Sequence, residues 1–107
     1  MIINFNQPIN QFENDKPLLK PNSSELFFLK DAAIEALLAL EENQSGEEKA
    51  KRYLMATRIY ANPDGPDFTL EELATIKKVI GRGYGPLIVG QAWEMLEGKK
   101  EKEVKNV

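Results

Sequence analysis

The fold turns on residues 69–96, Thr69-Leu70-Glu71-Glu72-Leu73-Ala74-Thr75-Ile76-Lys77-Lys78-Val79-Ile80-Gly81-Arg82-Gly83-Tyr84-Gly85-Pro86-Leu87-Ile88-Val89-Gly90-Gln91-Ala92-Trp93-Glu94-Met95-Leu96. Thr69 followed three residues later by Glu72 is a capping box: hydroxyl and carboxylate satisfy each other's backbone amides at a helix start. Glutamates in the first turn and Lys77 and Lys78 in the last match the two ends of the helix dipole. Leu73, Ile76 and Ile80 recur at helical spacing and predict the buried stripe, and Gly81 suits the residue after the helix. Pro86, with its fixed φ and missing N–H, suits the first position of the next helix. That helix is expected to reach about Glu97, burying Ile88, Ala92, Met95 and Leu96 with Val89 and Trp93 adjacent.

Upstream, Ser45-Gly46-Glu47-Glu48 predicts another capped helix start. This helix should run to about Tyr60, with Ala50, Tyr53, Leu54 and Thr57 on one face and Met55 and Ile59 beside it. Asn62-Pro63-Asp64-Gly65-Pro66-Asp67 stops it, since neither proline continues a helix. Before it, Lys30 to Glu42 reads as a helix whose Ala33, Ile34, Leu37, Leu38 and Leu40 span a wide sector, so most of its girth should be covered. At the N-terminal end Ile3 and Phe5 alternate with Asn4 and Asn6, the period of a half-buried strand, and Pro8 limits it. Pro17-Leu18-Leu19 would return as a second short strand, packed on the helices through Ile3, Phe5 and Leu18. Glu25 to Phe28 reads as a short strand or an irregular entry to the first helix. The fold class is therefore mostly α (α+β): an N-terminal β-hairpin or extended segment on a small bundle of about four helices. Residues 1–97 form one domain, and 98–107 read as a charged, disordered tail.

Composition bounds the function. A chain of 107 residues with net charge −3 suits one domain and lacks the basic excess that phosphate backbones or anionic lipid attract. It contains neither cysteine nor histidine. Disulfides, thiolate catalysis, Cys-ligated zinc and a histidine base or ligand are thus ruled out. The residues Met1 to Asn6 carry no charged lead or long apolar run, and no stretch nears the ~20 apolar residues of a membrane span. A cytoplasmic protein that leaves membranes alone is expected.

Few motifs suggest chemistry. Gly81 to Pro86 is glycine-rich and leads into a helix, an arrangement that can hold an anion. Phosphate loops follow a β-strand, however, whereas this one follows a helix, so a helix end and sharp turn explain it better. Residues 60–71 imitate part of a calcium loop, but its first position falls on Tyr60 and its eighth on Asp67. Glu71, Glu72, Glu94 and Glu97 read as caps and solvated faces, and Ser23, Ser24 and Ser45 lack an activating base. No catalytic residue, cofactor or metal is expected. The last two helices also imitate a helix–turn–helix, for which Lys77, Lys78, Arg82 and Gln91 would contact nucleic acid; the second helix offers only Gln91 for base edges. Tyr60, Arg82, Tyr84 and Trp93, at helix edges, are the preferred protein-interaction surface.

Three stretches together resemble a family. Lys51-Arg52-Tyr53, the run Phe68 to Gly81 and the run Tyr84 to Leu96, with the opening Ile3-Asn4-Phe5-Asn6-Gln7-Pro8, are similar to small proteins encoded by tailed bacteriophages and prophages. The resemblance implies a phage gene acting in the bacterial cytoplasm and transfers no active-site or binding residue. It leads to the expectation of a non-enzymatic interaction protein, an assembly or accessory factor or a binder of a host protein. The alternative is a small DNA-binding regulator.

Overall fold

A computed structural model describes residues 1–98. Four helices follow an extended N-terminal thread: α1 (Leu29–Leu38), α2 (Gly46–Ala61), α3 (Leu70–Gly83) and α4 (Pro86–Leu96). The mostly α class holds, and the expected tail from residue 99 onward lies outside the described residues. α1 is the central helix: it packs on both α2 and α3, and α3 in turn carries α4. Their shared core comprises Leu29, Ala33, Leu37, Met55, Ile59, Leu73, Ile76, Ile80, Ala92 and Leu96, joined by Ile3, Phe5 and Phe68. Burying each large apolar side chain contributes roughly 1.5–3 kcal/mol, so Phe5 and Phe68, in edge-to-face contact at 5.9 Å, anchor the thread to the helices.

The helix starts follow their caps. Thr69 Oγ1 accepts the Glu72 amide at 3.1 Å while Glu72 Oε1 accepts the Thr69 amide at 2.9 Å, completing the box. At α2 the Ser45 hydroxyl accepts the Glu48 amide at 3.1 Å, but the reciprocal carboxylate bond is not formed among the described residues. At α1, which has no hydroxyl cap, the Asp31 carboxylate reaches back to the Phe28 amide at 2.9 Å. Pro86 occupies the first turn of α4.

The N-terminal thread is extended, as expected, but regular strands do not form among the described residues. Pairing is confined to isolated antiparallel bridges: Ile2 with Asp67, Pro8 with Phe28, Asn10 with Pro17 and Leu19 with Leu26. Two of these positions are prolines, which have no amide to donate to a ladder. In place of a hairpin, three segments close on one another. The Ile9 amide donates to the Phe27 carbonyl (2.9 Å), Phe27 to Leu18 (2.8 Å) and Leu18 back to Ile9 (2.7 Å). Ile9 and Phe27, with Leu18 half-buried beside them, form a second apolar cluster with Ala32, Tyr84 and Ile88. Further toward the N-terminus, Ile3 and Phe5 donate to the carbonyls of Pro66 and Pro63, lacing the thread to the α2–α3 loop.

Three expectations are corrected. α1 ends at Leu38 rather than Glu42, because Ala39 turns extended (φ −70°, ψ 143°), and this leaves Leu38 and Leu40 exposed. Gly81 lies within α3, which continues to Gly83 and is capped by Tyr84, itself in extended backbone. The buried stripe of α2 is Arg52, Met55, Ala56 and Ile59, so Ala50, Tyr53, Leu54 and Thr57 face outward. Arg52 shares the buried side with Met55, Ala56 and Ile59. Only 7% exposed, its guanidinium bonds Glu41 Oε1 at 3.0 Å, and the Gln44 side-chain amide lies against it, its oxygen assigned to the guanidinium side because only donors face it there. Glu41 also takes Arg82 of α3 at 2.7 Å, so one carboxylate joins α2 and α3 below the end of α1.

A buried charge that loses its partner is costly, whereas an exposed ion pair contributes little. Glu41→Ala is therefore expected to lower unfolding stability by about 2–3 kcal/mol, and Arg82→Ala by less than about 1 kcal/mol, in urea denaturation. Equal losses would mean that Arg52 does not depend on Glu41.

Candidate functional site

The residues singled out from the sequence do not converge on one site. Tyr84 turns inward: its ring lies against Phe27 at 5.9 Å and its hydroxyl donates to Glu35 Oε1 at 2.6 Å. Burial, followed by the Glu35 carboxylate, pushes its ionisation well above the ordinary tyrosine value. Arg82 is held by Glu41. Gln91 is engaged with the thread, accepting the Asn10 amide at 2.9 Å and donating to the Asn10 carbonyl at 2.8 Å, an amide-to-backbone clamp joining α4 to the N-terminal cluster. Lys77 pairs with Glu97 at 2.7 Å and lies 4.8 Å above the Trp93 ring. Lys78 is exposed on α3. Trp93 is 38% exposed; its indole N–H donates to the Lys77 carbonyl at 3.0 Å, and its ring edge lies beside the exposed glycine at 81, where a Cβ would sit 3.5 Å from Cζ2. A shallow open depression lies beside it, lined by Ala74, Lys77 and Lys78. Tyr60, 80% exposed, stands apart on α2.

The most coherent surface was not legible as one: the outward face of α2. Gly46, Ala50, Tyr53, Leu54, Thr57, Tyr60 and Ala61 are all exposed. At 3.6 residues per turn they fall within one sector, an uncharged strip along the whole helix. Tyr53 is 62% and Leu54 58% exposed, unusual for apolar side chains this close together. Charged residues border the strip, Lys49 on one edge and Glu47, Lys51 and Arg58 on the other. The sequence places Ala50, Tyr53, Leu54 and Thr57 on one face of this helix without showing that the face is turned outward.

Each edge of the strip opens into a groove. On one side Tyr53 adjoins Leu38 and Leu40. On the other, an open groove of about 760 Å³ separates α2 from α3, lined by Leu54, Thr57, Arg58, Thr69, Glu72 and Thr75. Arg58 crosses the base of this groove: Nη1 bonds Glu72 Oε2 at 2.8 Å, Nη2 donates to the Asp67 carbonyl, and the guanidinium stacks 4.2 Å over Phe68. Arg58 first, then the Thr69 amide, holds the Glu72 carboxyl below its ordinary 4.5. Among the described residues no three carboxylates gather into a cluster able to hold a metal ion, and no helix is long and apolar enough to cross a membrane.

No family model, curated protein or solved structure matches this chain.

Because the Glu72 carboxyl is depressed, it stabilises the fold above pH 4.5, and that contribution is lost as pH falls through the lowered folded value. In urea titrations Glu72→Gln is expected to cost up to about 1 kcal/mol at pH 7, the pair being partly exposed, with the gap from wild type closing on acidification. A gap that is constant with pH would mean that the charge on Glu72, toward Arg58 and the Thr69 amide alike, contributes nothing to the fold. For Trp93, half covered and hydrogen-bonded, substitution by Ala is expected to cost about 1–2 kcal/mol, less than the ~3 kcal/mol of a fully buried ring and more than a surface change. A loss below ~0.5 kcal/mol would make its packing on α3 incidental.

Proposed function

We propose that this chain is a small non-enzymatic interaction protein of a tailed bacteriophage or prophage, acting in the bacterial cytoplasm as an assembly or accessory factor or as a binder of a host protein. The observation that carries the reading is the outward face of α2, where two tyrosines and a leucine stand in an uncharged strip with charges only at its edges. A core of apolar and aromatic side chains rimmed by charge is the make-up of protein-binding surfaces. Single exposed leucines are ordinary on soluble proteins; a contiguous strip along four turns of helix is not. The phage source is supported by the resemblance of residues 51–53, 68–81 and 84–96.

The DNA-binding alternative is less well supported by the geometry. Lys77, Arg82 and Gln91 make their bonds within the fold, and the groups left outward on α4 include Gly90, Trp93 and Glu94, a poor set for reading base edges.

Affinity capture with the full chain from phage-infected bacteria tests the proposal. A stoichiometric polypeptide is expected, phage-encoded, host-encoded or the chain itself, and Leu54→Glu should weaken its retention roughly tenfold or more, as for a central anchor residue. Retention unaffected by Leu54→Glu and Tyr53→Glu would overturn the assignment of this face. Salt-dependent duplex DNA binding, lost on neutralising Lys77, Lys78 and Arg82, would replace it with the regulator.

A further inference from the structure

The strip on α2 has a symmetry that points to its occupant. α2 comprises 16 residues, about 24 Å of helix, and its midpoint falls between Tyr53 and Leu54. A two-fold axis through that midpoint, perpendicular to the helix, sets a second α2 antiparallel to the first. Each edge of the strip then lies beside the same edge of the other copy. Tyr53 comes beside the partner's Tyr53 on one edge, and Leu54 beside the partner's Leu54 on the other. Along the midline, the small side chain of Ala50 is level with the partner's Thr57, which allows the axes to approach to within about 8–10 Å.

The charges at the edges agree with this arrangement. Glu47 and Arg58 occupy the same edge, eleven residues apart and nearly equidistant from the midpoint. The axis brings Glu47 within roughly 3 Å, along the helix, of the level of the partner's Arg58, and does so twice. Arg58 is fixed by Glu72 and Phe68 yet keeps 41% of its side chain exposed, so it presents an immobilised guanidinium at low entropic cost. On the opposite edge Lys49 reaches the level of the partner's Tyr60, where a cation meets an aromatic face. The acidic N-terminal turn of each helix, Glu47 and Glu48, lies alongside the C-terminal turn of the other, and the two dipoles oppose.

We propose that a second copy of this chain covers the α2 face, the two α2 helices packing antiparallel about an axis between Tyr53 and Leu54. Self-pairing presupposes the docking role proposed for this face and names its occupant. Leu38 and Leu40, next to Tyr53 across the shallow groove, extend the contact beyond the helix itself.

Sedimentation of the full chain from about 1 to about 300 µM, a range spanning moderate to weak affinities, should show the 12.1 kDa mass double with concentration. Leu54→Glu should raise the dissociation constant roughly tenfold or more, whereas Trp93→Glu should leave it unchanged; circular dichroism confirms that both variants fold. The lack of native cysteine allows the register to be read directly. On oxidation, Leu54→Cys should link to itself, and an equimolar mixture of Ala50→Cys and Thr57→Cys should link across far more than either does alone. Ala50→Cys linking to itself better than to Thr57→Cys would overturn the antiparallel register. A mass that stays monomeric throughout would overturn self-pairing; capture of another protein that still depends on Leu54 would then preserve the docking role, and loss of that dependence would remove both.

Discussion

A buried guanidinium sets the arrangement of this protein. Arg52 cannot leave water without a carboxylate, and Glu41 supplies it at 3.0 Å. Several features follow from that one pairing. α2 must turn Arg52 toward α1, so Met55, Ala56 and Ile59, which share that side, become its core face. The polypeptide between α1 and α2 must place Glu41 beneath the end of α1, which halts that helix at Leu38. Because Glu41 also holds Arg82, α3 is fixed by the same group. The uncharged strip of α2 is outward as a direct result: it is the side opposite a charge that had to be inside.

This explains which parts of the fold the sequence discloses and which it conceals. Helix starts were legible at Thr69 and Pro86 because a cap is a local device, its donor and acceptor being three or four residues apart. The rotation of α2 was not. Hydropathy treats arginine as a solvent-facing residue, and its true orientation depends on a carboxylate eleven positions earlier in another element. The end of α3 was misplaced for a related reason. Gly81 reads as a stop, yet the helix continues to Gly83 past the edge of Trp93, a residue of the next helix. Local signals mark boundaries; tertiary pairing sets orientation.

The site residues divide in the same way. Tyr60 and Trp93 are polar-tipped aromatics at helix edges, and both retain exposed surface. Tyr84, Arg82 and Gln91 look equivalent in one dimension but each finds a partner at least 41 residues away, and none of those pairings leaves a local trace. Tyr53 and Leu54 share a face by their spacing, but helical periodicity alone does not tell an outward apolar face from a core one.

The ring of backbone bonds joining Ile9, Leu18 and Phe27 differs in kind from the lacing of Ile3 and Phe5 to Pro66 and Pro63. The former closes short loops within the first 28 residues, whereas the latter must bring together parts of the chain separated by α1 and α2. Loop closure grows costlier with separation. The N-terminal knot is therefore the less costly of the two to close, and Tyr84 and Ile88 complete its apolar cluster. The Phe5–Phe68 clasp closes the longer loop, so it carries the larger closure entropy and leans on the helices between its two ends to hold them near each other.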